Sequence, residues 1–304
     1  MIRTIDDIIQ AAKEHKTAIV AVAAAHDDVV IEAVVNARRE QLAEPILVGH
    51  VDAMRKMLVD LGEDPDSYRM IAADEDTESA AIAVSLCAEG KADFLMKGIL
   101  STADLMRAVF KRDSGLRTGR LTSHCMIYQI PAYHKLMLMT DGGVNTFPDL
   151  EKKADILENG AMALKALGYE KIYASCICGA ETINPKVQST LDAVELSNMT
   201  ERWAPYNMTV IGPVALDLAV SKEACRHKRF EAEGAGDADI ILVPNYEVGN
   251  GIGKATSLFG GSRSAGFIMG ARVPIVLVSR SDNADSKMAS IAAGSVLAAN
   301  LKWD

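Results

Sequence analysis

A chain of 304 residues, 49% apolar and 24% charged, has room for two domains and a globular composition, which excludes wholesale disorder. Its net charge of −9 gives no general attraction for nucleic acid or an anionic membrane, so an anionic ligand must be gripped by local Arg and Lys. No apolar run reaches the ~18 residues of a membrane span. The start MIRTIDDIIQ lacks a basic region followed by an apolar stretch, so no secretory leader is expected. With five scattered cysteines (87, 125, 176, 178 and 225) the chain reads as cytoplasmic, its thiols reduced.

From the amino terminus, short buried runs alternate with amphipathic segments. Thr4 and Asp7 signal a helix running to about His15. AIVAVAA then reads as a strand, Asp27-Asp28 opens a helix to about Leu42, and PILVG (45–49) is a second strand. A helix ending at Gly62, a strand at MIAA and a helix at TESAAIAVSLCAEG follow. DFLMKG (93–98) predicts a strand, and STADLMRAVFKR (101–112) a helix capped by Ser101 or Thr102. SGLRTGRLTS reads as a polar, basic loop, and the loop near 113–135 is the best internal candidate for a domain boundary.

Beyond it the alternation resumes. KLMLMTDGG is a strand, 149–168 a helix, KIYASC a strand, 184–203 a helix, MTVIGP a strand and 215–229 a helix. ADIILVP and PIVLVSR are strands, the first followed by the glycine-rich PNYEVGNGIGK (244–254), read as a loop. A last helix starts near Asp282. Strands apolar throughout belong in sheets covered on both faces, and repeated strand–helix units predict an α/β fold with largely parallel sheets.

In such sheets ligands gather at the carboxyl ends of strands, beside helix amino termini whose N–H groups suit phosphate. VLVSRSDNADSK places Ser279, Arg280, Asp282 and Asp285 at one such end. Arg280 can grip a phosphate with two parallel hydrogen bonds, and Asp282 reads as a helix cap. LMKGILSTADLMR puts Lys97 and Gly98 at a second strand end, Thr102 at a helix start and Arg107 in its first turns. The plain alternative is a solvated lysine and a surface arginine. PNYEVGNGIGK holds neither a GxxxxGK[ST] phosphate loop nor a complete dinucleotide fingerprint. TDGGVN (140–145) reads as a tight turn. Cys176-x-Cys178 has no second pair or nearby histidine with which to bind zinc.

Together LMKG, TADLMR, TDGGVN with PDLE, NPKVQSTLDAVELS, GPVALDLAVSKEA, GDADIILVPNYEVGN and PIVLVSRSDNADSKM resemble the phosphate acyltransferases. The likeness runs from about Ala92 to Ala293, closer to the phosphate butyryltransferase branch than to the acetyltransferases. It implies two α/β domains with a cleft between them, similar to the isocitrate and isopropylmalate dehydrogenases. Residues 1–133 with 265–304 would form the first domain and 134–264 the second. The implied reaction is reversible transfer of a short acyl group between coenzyme A and phosphate by a homodimer, with CoA as a substrate and no metal or further cofactor.

The resemblance also implies roles. Ser279, Arg280 and an acid near 285 would take part in catalysis, and Arg107 would bind phosphate. Lys97, Thr102, Asn250 and Lys254 are expected at the substrates. The acetyltransferase pattern carries its acid one residue farther on, where this chain has Ser286, so Asp285 is the first candidate for the base and Asp282 the second. Gly253 stands where the family usually has Tyr, before Lys254. A metal- and NAD-dependent decarboxylating dehydrogenase of the same fold is the alternative from another class, but no clear aspartate set for a divalent cation is visible.

Overall fold

The computed structural model describes residues 2–277 and 284–301. The backbone divides into two compact units, each named for its place along the sequence: an outer one drawn from both ends, residues 6–120 and 265–304, and a central one drawn mainly from the middle, residues 1–5 and 121–264.

Up to residue 120 the chain forms α1 (Ile5–Glu14), β1 (Ala18–Ala23), α2 (Asp28–Arg39), β2 (Ala43–Gly49), α3 (Val51–Asp60), β3 (Arg69–Ala72), α4 (Asp76–Ala88), β4 (Phe94–Lys97) and α5 (Thr102–Phe110). The Asp27 carboxylate caps α2 by accepting the Val30 N–H at 3.2 Å. A fully buried hydroxyl ties α4 to the sheet. Ser79 Oγ accepts from the Ala24 N–H at 2.6 Å and donates to the Val48 carbonyl at 2.9 Å. It satisfies two backbone groups at the ends of β1 and β2 that would otherwise be buried unpaired.

The central unit holds β5 (Ser123–Gln129), β6 (Leu136–Thr140), α6 (Leu150–Ala166), β7 (Ile172–Ile177), α7 (Gln188–Asn198), α8 (Thr200–Trp203), β8 (Met208–Val214), α9 (Leu216–Val220), α10 (Lys222–Lys228), β9 (Ile240–Leu242) and α11 (Tyr246–Leu258). Its strands run in the order β5-β6-β9-β7-β8, with β5 antiparallel to β6 and the other pairs parallel. The chain then returns to the outer unit as β10 (Arg263–Met269), β11 (Ile275–Val276) and α12 (Ala284–Asn300). The outer strands follow the order β3-β2-β1-β4-β11-β10, parallel except for β10 against β11. Among the described residues no helix is long and apolar enough to cross a membrane.

Three readings of the sequence are corrected. The stretch 113–135 is not one loop, because Ser123–Gln129 is a strand. The segment 215–229 is broken at Ser221, whose hydroxyl caps α10 through the Ala224 N–H at 3.1 Å. PNYEVGNGIGK is mostly helix. Asn245 Oδ1 caps α11 by accepting the Val248 N–H at 3.0 Å, and tertiary packing overrides the low helix propensity of three glycines.

Within the central unit, Lys153 on α6 donates to Asp192 Oδ2 on α7 at 2.5 Å, both side chains only 6% exposed. Gln188 Nε2 donates to the other carboxylate oxygen at 2.8 Å. Removing one partner of such a pair leaves a buried charge, whereas removing both does not. Lys153→Met is therefore expected to cost about 3–5 kcal/mol. The double variant Lys153→Met with Asp192→Leu should recover most of that loss in urea unfolding. A double variant no more stable than the single one contradicts this account.

Candidate active site

The carboxyl ends of β4 and β11 lie side by side. Ile275 pairs with Leu95 and Val276 with Met96, so the parallel register brings the LMKG motif and Val276, the first residue of VLVSR, to one edge of the outer sheet. Ser279, Arg280 and Asp282 lie outside the described residues. Asp285 is half-buried in the first turn of α12. Ser286 next to it is buried, and its carbonyl accepts the Ser290 hydroxyl at 2.7 Å.

On the neighbouring strand, Gly98 follows Lys97 and presses against β1. A Cβ at Gly98 would lie 2.1 Å from the Ala24 carbonyl oxygen and 2.4 Å from that of Ala23. Only glycine permits this approach, and the Gly98 N–H uses it to donate to Ala23 O at 2.8 Å. Lys97 folds back, its ammonium donating to the carbonyls of Gly98 at 2.9 Å and Leu100 at 3.0 Å. It thereby holds the loop that opens α5. Ser101, rather than Thr102, is the cap, accepting the Asp104 N–H at 3.1 Å and donating to Asp104 Oδ2 at 2.7 Å. Thr102 is the first helical residue. Arg107 pairs with Asp104 but keeps 73% of its side chain exposed. Hydrogen bonds from Ser101 and then Arg107 hold the Asp104 carboxyl below its ordinary range.

Asn250 and Lys254 belong to the central unit, one turn apart on α11. Their side chains make no hydrogen bond or ion pair among the described residues. Gly249 and Gly253, on the adjoining face, are buried.

TDGGVN turns about a buried carboxylate. Asp141 Oδ1 accepts from the Gly143 and Val144 N–H groups, both at 2.8 Å. Its Oδ2 accepts from the N–H groups of His124 (3.1 Å) and Asn145 (3.2 Å) and from Asn145 Nδ2 (2.6 Å). An acid so fully engaged organises the turn. All five cysteines are free and buried. Burial pushes the thiol of Cys87 up to about 12 and raises those of Cys125 and Cys176, so none of these three is a ready thiolate nucleophile.

Residues 68–294 match the phosphate acetyl/butaryl transferase family. The chain belongs to that family. It is 39% identical to a phosphate butyryltransferase of Clostridium acetobutylicum over 99% of this chain and 100% of the relative. A phosphate acetyltransferase of Thermotoga maritima is 36% identical over 91% of this chain and 94% of its own. Among solved structures, a branched-chain phosphotransacylase from Enterococcus faecalis V583 superposes with a TM-score of 0.83 at 30% identity, covering 94% of this chain and 100% of that one. The family match takes in Lys97, Thr102, Arg107, Asn250, Lys254 and Asp285.

Ahead of the matched residues, the outer sheet carries a histidine pair that the sequence did not single out. His26 and His50, just beyond β1 and β2, stack with ring centroids 4.0 Å apart and planes inclined by 14°. His50 Nε2 lies 2.9 Å from the Asp74 carbonyl, and His26 Nε2 lies 3.6 Å from Asp76 Oδ1. Burial first, and then the charge of His50, lower the His26 pKa from 6.5, against the opposing pull of Asp76 and Asp27. With the folded value below the unfolded one, the unfolded chain takes up the proton first as pH falls. The stabilisation is thus complete above about pH 6.5 and is lost as pH drops through the lowered folded value. The thermal stability advantage of the wild type over His26→Gln should be largest above pH 6.5 and shrink on acidification. An advantage constant between neutral and mildly acidic pH contradicts it.

Proposed function

We propose that the chain is a phosphate butyryltransferase, interconverting butyryl-CoA and phosphate with butyryl phosphate and CoA. The observation that carries this reading is the full-length kinship with a butyryltransferase at 39% identity. Phosphate acetyltransferase is the second reading, favoured by the 36% identity to an acetyltransferase. A likeness of fold to the isocitrate and isopropylmalate dehydrogenases is carried forward on the resemblance alone.

In the direction of CoA acylation, a carboxylate accepts the thiol proton as sulfur attacks the acyl carbonyl carbon of the acyl phosphate. The C–S bond forms, the tetrahedral centre collapses, and the C–O bond breaks to release phosphate. A thiol of pKa about 8.5 is mostly protonated at neutral pH, so the base raises the thiolate fraction where it is needed. We assign that base to Asp285. Its half-exposed place in the first turn of α12, beside an inward-facing Ser286, supports Asp285 over its neighbour.

Arg107, largely exposed on α5, is assigned to phosphate, with Lys97 and Thr102 beside it and Asn250 and Lys254 binding CoA or the acyl group. Ser279 and Arg280 are assigned to the developing oxyanion and to phosphate on the resemblance. The buried, neutral thiols of Cys125 and Cys176 support direct transfer without an acyl-enzyme.

CoA release across a series of acyl-CoAs tests the reading. Release should require phosphate and proceed faster with butyryl-CoA than with acetyl-CoA; the reverse preference moves the assignment to acetyltransferase. Asp285→Asn, nearly isosteric but unable to accept the proton, should lower kcat by roughly 10²–10⁴-fold with CoA affinity little changed. The deficit should shrink at high pH, where CoA thiolate is already abundant. An Asp285→Asn variant with wild-type turnover removes this residue as the base.

A further inference from the structure

Helix α11 meets the central sheet without side chains of its own at two positions. A Cβ at Gly249 would lie 2.7 Å from Gly142 Cα and 2.7 Å from Val243 Cγ2. One turn on, a Cβ at Gly253 would lie 2.6 Å from Tyr128 Oη and 3.1 Å from Met139 Cε. Real Cβ atoms do not approach so closely, so the helix rests directly on these groups. Tyr128 comes from β5 and is only 4% exposed, in one core cluster with Met139 and Val243 against which Ile252 of α11 packs. Position 253 thus faces the protein interior, and the contact there is made by a tyrosine on the strand. Asn250 and Lys254 each follow one of these glycines, so they move with the helix wherever the glycine face seats it.

We propose that Tyr128 is a positioning residue for acyl transfer: its phenol oxygen, seated on Gly253, sets the height of α11 above β5 and β6 and hence the place of Asn250 and Lys254. The inference rests on the assignment of those two residues to substrate binding. The clash at Gly253 comes from one atom. Without the hydroxyl, the nearest remaining atom of the ring is Cζ at 3.7 Å, an ordinary contact, and the methionine methyl is the movable end of a flexible side chain.

The test is a double-mutant cycle of Gly253→Ala and Tyr128→Phe, reading kcat and KM for butyryl-CoA, CoA affinity by calorimetry, and thermal stability. Gly253→Ala should raise KM and weaken CoA binding by about tenfold, the effect of weakening one charge-assisted hydrogen bond, with kcat changed far less. Adding Tyr128→Phe should restore most of the loss, a coupling expected only if the two groups share one contact. Wild-type KM and CoA affinity in Gly253→Ala overturn the proposal, even if its stability falls, and so does a double variant as impaired as Gly253→Ala alone. Should Gly253→Ala not fold, Tyr128→Phe decides: a raised KM supports the role and an unchanged KM overturns it. If the wild type binds CoA but shows no phosphate-dependent turnover, the acyltransferase reading fails and the calorimetric cycle still decides on Tyr128. If the wild type does not bind CoA, both fail.

Discussion

Two rungs of parallel pairing, Leu95 with Ile275 and Met96 with Val276, bring the principal sequence motifs of the outer unit to one sheet edge. They join strands from opposite ends of the chain, so that the carboxyl ends of β4 and β11 lie side by side. The register is reinforced by Gly98, whose missing side chain lets β4 lie against the last carbonyls of β1. A side chain there would push away the strand end that carries Lys97, the Ser101 cap and Arg107. Phosphate and acyl chemistry need several charged groups held together against a net charge of −9.

The fold was legible where hydrophobic pattern and local chemistry agreed. Ala18–Ala23 is apolar throughout and Leu136–Thr140 is apolar up to its last residue, and both are buried strands; Asp27 and Ser101 are caps at the helix starts where side-chain oxygens were expected. It was illegible where packing outweighed pattern. Ser123–Gln129 carries Ser, His, Tyr and Gln, so it does not stand out from the basic loop before it. Tyr246–Leu258 carries three glycines that argue for a loop in isolation, yet two of them let the helix lie on Gly142 and Tyr128.

The same division runs through the candidate site. The acid after VLVSR and the arginine of TADLMR are local signals, readable one strand end at a time. The organising groups of the central unit are non-local. Lys153 and Asp192 meet from 39 residues apart, and nothing in either helix alone distinguishes them from surface charges. Asp141 stood in a visible motif, but its chemistry is decided by five donors, one of them the N–H of His124 on another strand. A carboxylate saturated in this way and one half-exposed at the start of α12 look alike in sequence and differ in their surroundings.

The central claim is that the acyl group passes intact from sulfur to phosphate, and identification of the product tests it most directly. Incubation of the protein with butyryl-CoA and phosphate, followed by phosphorus NMR, should show butyryl phosphate and free CoA formed in equal amounts. Free CoA without butyryl phosphate, formed equally well when phosphate is omitted, would mean hydrolysis rather than transfer and would contradict the account.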